Sequence, residues 1–307
     1  MGYIISFINL KGGVGKTTCC ANIAGELAQG NRKILVIDAD AQANISTLLL
    51  NPPRYQKIVL KIDTPDALEN TKNTVYQIFL DEIDETKEFD PETAILKNVV
   101  EIEKQGKKIT PLQYLDLLPA SHELMQLEQK IVTYSRTRFI ILHKALQKLK
   151  NEYDFILIDC PPNIYTATHN ALYASDFYII PTTPEFLSLT GIPLLIRSLN
   201  KTIAIKREEK YEAVECAGIL INMLNRQLKI HQEGIKRIKL ALDIFKKKNM
   251  VDKKARVFDT MITNKVDVKK AAGEYTPICV KFPKSNSTAE YRNLCAKILD
   301  RISESEG

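Results

Sequence analysis

No run of apolar residues in this 307-residue chain approaches the roughly 18 needed to cross a bilayer. The N-terminus has no signal-peptide pattern and enters an apolar stretch directly, so the expectation is a soluble, cytoplasmic protein. Six cysteines (19, 20, 160, 216, 279 and 295) include no C-x-x-C pair, and several sit in apolar contexts. Free buried thiols are therefore expected. There is no internal repeat, no helix-turn-helix and no aromatic stacking platform, which excludes base-specific reading of nucleic acid by the common modules. What is present suffices for a large core. A hydrophobic content of 45% with 26% charge allows one large α/β domain, or two at most, and the single domain over 1–307 is preferred.

Hydrophobic patterning places strands at 3–9, 33–38, 114–118, 154–159, 176–181, 214–221 and 256–261, with helices near 17–29, 136–150, 187–208, 231–248 and 288–303. This alternation predicts an α/β fold, a doubly wound, mostly parallel sheet flanked by helices, with ligands at the C-terminal ends of the strands.

The first strand, Tyr3 to Asn9, runs into Leu10-Lys11-Gly12-Gly13-Val14-Gly15-Lys16-Thr17-Thr18. The usual phosphate loop reads G-x-x-x-x-G-K-[ST], and its first glycine is missing because position 10 is Leu. The remaining K-G-G-x-G-K-T-T leads from a buried strand into a helix N-terminus, where free amides and the helix dipole attract anions. Gly12, Gly13 and Gly15 let main-chain amides wrap a polyphosphate. Val14 and Thr18 complete the loop, Lys16 reaches the terminal phosphates, and the Thr17 hydroxyl is a Mg²⁺ ligand. Lys11 is surplus to this single site, which points to a role in trans.

With that second lysine, the chain resembles the deviant Walker-A ATPases, the ParA/Soj/MinD superfamily, and most closely a ParA-type partition ATPase without an N-terminal DNA-reading domain. The resemblance implies a P-loop NTPase fold and a homodimer with ATP sandwiched between protomers, Lys11 crossing to the phosphates of the other subunit. Asp38-Ala39-Asp40-Ala41-Gln42-Ala43-Asn44 resembles the family's D-x-D-P-Q-x-N segment, with Ala41 in place of the proline. Asp40 is expected to position the attacking water. Asp38 is expected to be structural or to lie in the metal's outer shell. Asp154 to Pro162 reads as the Walker-B strand, with Asp159 holding Mg²⁺ through a water. Tyr114 to Ala120 resembles the family's H-L-L-P-A strand end, and Pro181-Thr182-Thr183-Pro184-Glu185 opens a motif read as architecture. Gly218 to Met223 resembles the strand whose Asn faces adenine, which makes Asn222 the base-binding candidate. Thr263 stands where relatives have a proline that frames the base. The absence of any cysteine between 21 and 159 separates the chain from the superfamily's iron–sulfur members.

The stretch from Asn51 to about Pro111 has no family counterpart of similar length and reads as an insertion after the second strand. Val75, Ile78, Phe79 and Ile83 predict an amphipathic helix within it. Asp81 to Glu92 holds seven acids against one lysine, as expected of a solvated cover or, alternatively, a partner-binding surface.

Basic charge is concentrated late in the chain. Residues 225–270 hold 14 Lys/Arg and 5 Asp/Glu, a surplus of +9 against +6 for the whole chain, so the remainder is −3. Arg226, Lys229, Lys236, Arg237, Lys239, Lys246, Lys247, Lys248, Lys265, Lys269 and Lys270 are candidates for phosphate contacts without base reading. The resemblance implies nonspecific double-stranded DNA as partner, nucleoid association in the ATP state, and a ParB-like or other adaptor that stimulates hydrolysis. Two alternatives differ in class. A MinD-like membrane-cycling ATPase would end in a basic amphipathic helix, whereas this chain ends in the acidic Ser303-Glu304-Ser305-Glu306-Gly307, so no membrane partner is expected. A metabolic relative would use ATP to activate a small carboxylate or amide.

Overall fold

The computed structural model describes residues 2–60, 74–83, 89–104, 107–126, 131 and 138–305. Seven strands form one parallel sheet: β1 (Tyr3–Phe7), β2 (Ile34–Asp38), β5 (Leu115–Leu118), β6 (Phe155–Asp159), β7 (Phe177–Thr182), β8 (Glu215–Ile221) and β9 (Arg256–Val257). Their order is β5-β2-β6-β1-β7-β8-β9, with a separate antiparallel pair of β3 (Ile102–Lys104) and β4 (Lys107–Ile109). Strands β2, β5, β6 and β7 are buried at every residue, as near-continuous apolar runs between flanking helices should be. The register aligns Phe7 with Asp159 and Asp159 with Asp38. Three chain segments therefore leave β1, β6 and β2 side by side at one end of the sheet.

Helix Lys16–Gln29 follows β1 and packs against the C-terminal helix Asn286–Ser303. Helix Ile141–Leu149 packs on Thr166–Ala174, which contacts the long helix Phe186–Glu208. All six cysteines are free and buried.

Three expectations differ from the structure. The strand expected at 256–261 is confined to Arg256–Val257; beyond it Phe258 still donates to the Ile219 carbonyl at 3.0 Å, and the regular ladder then breaks until Ile262 donates to Ile221 at 2.9 Å. The helix expected from 136 starts at Ile141, and residues 136–137 lie outside the described ones. The third concerns the 51–111 stretch, whose described residues are joined to the core rather than laid over it. Tyr55, Val59, Val75, Ile78, Phe79, Ile95 and Val99 are buried in the same apolar cluster as the sheet. The expected amphipathic helix is Tyr76–Ile83, and it packs against Ile141–Leu149. Leu96 exchanges hydrogen bonds with Leu117 at 2.8 and 2.9 Å, and Val99 donates to Leu115 at 2.9 Å. The segment thereby covers the free edge of β5, whose unpaired backbone groups would otherwise invite pairing with another chain. The acidic residues 84–88 lie outside the described ones.

Candidate functional site

The loop after β1 turns through two left-handed glycines, Gly13 at φ 74° and Gly15 at φ 83°. Gly15 is the N-cap of helix Lys16–Gln29, and no side chain caps that helix and no acid stands in its first turn. Its leading amides are thus left for an external anion. A Cβ on Gly15 would lie 2.2 Å from Asn222 Nδ2, so this position admits no side chain without displacing Asn222. Asn222 follows β8, is 3% exposed, and donates to the Val14 carbonyl at 2.8 Å. The base-binding candidate is therefore also a strut under the phosphate loop, and its amide nitrogen is engaged there.

Lys16 is 7% exposed. Burial lowers its pKa, against the opposing pull of Asp159, Cys160 and Asp40. Asp159, 1% exposed at the end of β6, has no hydrogen-bond donor within reach of either carboxylate oxygen among the described residues, the nearby Thr17 hydroxyl standing just beyond that reach. Burial and the neighbouring Asp38 push its pKa up to about 8, while the Thr17 hydroxyl and Lys16 hold it down. Asp38 is equally buried but fully engaged. One oxygen accepts from the Ser46 amide at 3.0 Å and hydroxyl at 2.7 Å, and the other from the Asp40 amide at 3.1 Å. Burial still raises its pKa to about 7, because these bonds only partly offset desolvation. Asp40, 8% exposed, accepts from the Gln42 amide at 3.0 Å, a local turn that holds its carboxylate toward the loop. Gly12, Gly13, Gly15, Lys16, Thr17, Thr18 and Asp40 line one cavity of about 590 Å³. A larger groove of about 780 Å³ lies at the opposite end of β1 and β6, around Gly2, Lys33 and Tyr153, away from the glycines.

A family model for an AAA domain, AAA_31, matches residues 2–211. The chain belongs to this family. It is a ParA-type member of the ParA/Soj/MinD superfamily of P-loop ATPases. It is 29% identical over 298 residues to the sporulation initiation inhibitor protein Soj of Bacillus subtilis, covering 97% of this chain and 98% of Soj. Its fold is similar to apo McdA of Cyanothece, with a TM-score of 0.71 at 16% identity and coverage of 98% and 100%. It is also similar to cobyrinic acid a,c-diamide synthase of Mycobacterium smegmatis with bound ADP and magnesium, with a TM-score of 0.69 at 22% identity and coverage of 99% and 97%. At these identities the two structures bear on the fold alone.

In this ParA-type chain Lys11 is bonded within its own protomer. Its ammonium pairs with Glu185 at 2.9 Å, both side chains partly exposed, and this contact holds the Glu185 carboxyl below its ordinary range. Sequence reasoning placed Glu185 in an architectural motif and missed the pair, which only the return of the chain after β7 creates. Thr263 donates both its amide, at 2.9 Å, and its hydroxyl, at 2.8 Å, to Glu290 on the C-terminal helix. A proline there would have no amide to donate.

The late basic residues separate into groups. Leu224 pairs with Thr263 in a parallel bridge, its amide donating to Ile262 at 2.9 Å and its carbonyl accepting from Asn264 at 2.9 Å. This joins the segment carrying Arg226 and Lys229 to the one carrying Lys265, Lys269 and Lys270, near the strand ends that hold the loop. Lys246 to Lys248 lie at the other end of helix Lys229–Lys247, about 28 Å away at 1.5 Å per residue.

Proposed function

We propose that the chain is an ATPase that dimerises around Mg·ATP, binds nonspecific DNA as that dimer, and positions DNA or another cargo until a partner protein stimulates hydrolysis. The observation that carries the nucleotide half is the uncapped helix N-terminus at Gly15 beside buried Lys16 and the buried Asp159 carboxylate, which has no hydrogen-bond donor within reach among the described residues. The loop amides and Lys16 bind the phosphates. Thr17 and Asp159 fit Mg²⁺, a hard cation that prefers oxygen ligands and keeps several waters. When bound, this ion neutralises charge on the terminal phosphates. Asp40 orients the attacking water, and Asp38, itself held by Ser46, fastens the Asp40 turn by accepting the Asp40 amide. Asn222 holds the loop from beneath and stands beside the base.

Lys11 supplies positive charge across the dimer. To do so it must leave Glu185, and a partly exposed ion pair is worth only about 0–1 kcal/mol, so phosphates on a second protomer outcompete it. Arg226, Lys229, Lys265, Lys269 and Lys270 form the DNA-facing group, since they are joined near the nucleotide end. Arg237 is in an ion pair with Glu233, and Lys246 to Lys248 are remote. The ATP form is expected to associate with the nucleoid in the cytoplasm.

Fluorescence anisotropy on an unrelated duplex tests the DNA half. Binding is expected with ATP and not with ADP, falling with salt, and weakened by Lys269→Ala with Lys270→Ala regardless of DNA sequence. No binding in any nucleotide state removes DNA from the account and leaves an ATPase whose cargo contact is elsewhere.

A further inference from the structure

The cavity at the glycine loop has two chemically different ends. Sheet order places β2 and β6 on one side of β1, and β7, β8 and β9 on the other. The first side brings Asp40, Gln42 and Asn44 to the cavity, and the second brings Met223, Ala272 and Tyr275. With the terminal phosphates held by the loop amides and Lys16 beside the carboxylates and Thr17 of the first side, the remainder of a nucleotide extends toward the second. Tyr275 is the single aromatic among the described residues lining the cavity, and it is 39% exposed.

Its backbone carries the second observation. Tyr275 closes helix Val266–Gly273 at φ 55°, its amide donating to the Ala272 carbonyl at 3.0 Å. Helix closures in the left-handed region favour glycine or asparagine, so the fold alone gives no reason for a tyrosine. Met223, also lining the cavity, has φ 53°. Two residues in conformations that side chains avoid thus face the same space from two different segments. Of the nine non-glycine residues at positive φ among the described ones, these two are the ones that line this cavity, and such strain is tolerated where a ligand is clamped.

We propose that Tyr275 is the nucleobase platform of this site, its ring stacking on the purine, with Met223 on the neighbouring wall. This rests on the nucleotide reading above and adds a positioning residue that the sequence motifs do not contain. The phosphate loop supplies affinity for any polyphosphate, and Tyr275 supplies the preference for one that carries a base.

Calorimetric titration with ATP and with inorganic tripolyphosphate separates the two contributions. The variants are Tyr275→Asn, which suits a positive φ and so protects the fold, and Tyr275→Phe, with thermal unfolding as a check. Tyr275→Asn is expected to bind ATP about tenfold more weakly, within the range of base–aromatic stacking, with tripolyphosphate affinity unchanged. Tyr275→Phe is expected to keep ATP affinity. Unchanged ATP affinity in Tyr275→Asn, or equal weakening of both ligands, overturns the platform and leaves the phosphate site standing. A wild-type chain that binds neither ligand overturns the nucleotide reading and the platform together.

Discussion

Replacing Gly15 by alanine tests the phosphate loop at its tightest point. The backbone there is at φ 83°, where a side chain costs roughly 1–2 kcal/mol. The added Cβ would lie 2.2 Å from Asn222 Nδ2 and 3.3 Å from Met223 Cε. Asn222 must then swing away, breaking its 2.8 Å bond to the Val14 carbonyl, and an orphaned buried acceptor costs about 1–3 kcal/mol. Gly15→Ala is therefore expected to lose about 3 kcal/mol of unfolding free energy in urea and most of its ATP affinity. Gly15→Ala combined with Asn222→Ala removes the collision, so the double variant is expected to be at least about 1 kcal/mol more stable than the summed single effects predict. Additivity within about 0.5 kcal/mol, or a Gly15→Ala variant as stable as wild type, would refute the strut.

Other perturbations follow from contacts outside the loop. Gly234→Ala improves intrinsic helix propensity by about 1 kcal/mol, yet its Cβ would meet the Pro184 carbonyl at 2.0 Å, so urea denaturation is expected to show net destabilisation. Arg301, fully buried, pairs at 2.7 Å with both Glu215 and Asp252; Arg301→Met leaves two partly exposed carboxylates together and is expected to cost about 3 kcal/mol in the same assay. Burial, aided by the Lys206 and Lys150 charges and opposed by Asp176, pushes the His143 pKa down to about 4. The unfolded chain then binds the extra proton first as pH falls below the ordinary value of about 6.5, so this group's stability is present near neutrality and lost toward pH 4. Between pH 7 and 5 the loss is about 2 kcal/mol, and His143→Gln is expected to flatten that part of the stability profile measured by denaturation across pH.

The parallel sheet was legible because both-sided burial writes uninterrupted apolar runs: Ile34 to Ile37 and Phe155 to Ile158 have no polar interruption for a competing pattern to use. Helix Thr166–Ala174 escaped notice for a related reason. It is buried at Thr166, Thr168, Asn170 and Ala171 through Ala174, so it has little polar face to set the helical period. The loop residues Gly12 to Thr18 announced themselves through spacing, and the carboxylates through their position after strands. What spacing does not encode is contact between distant segments. The Lys11–Glu185 pair spans 174 positions, Asn222 to Val14 spans 208, and Tyr275 reaches the cavity only through the close of a short helix. How the described part of the 51–111 segment packs on β5 was hidden for a compositional reason. Its acids outnumber its apolar residues near position 85, while the residues that bind it to β5, Leu96 and Val99, stand outside any periodic run.

The most direct test of the account is the mass of the chain in solution by light scattering with Mg·ATP or Mg·ADP, for wild type, Lys11→Ala and Lys16→Ala. The account predicts a wild-type dimer with ATP and a monomer with ADP, a Lys11→Ala monomer that still binds ATP, and a Lys16→Ala monomer that binds it poorly. A wild-type chain that stays monomeric in ATP, or a Lys11→Ala chain that dimerises as the wild type does, would contradict it.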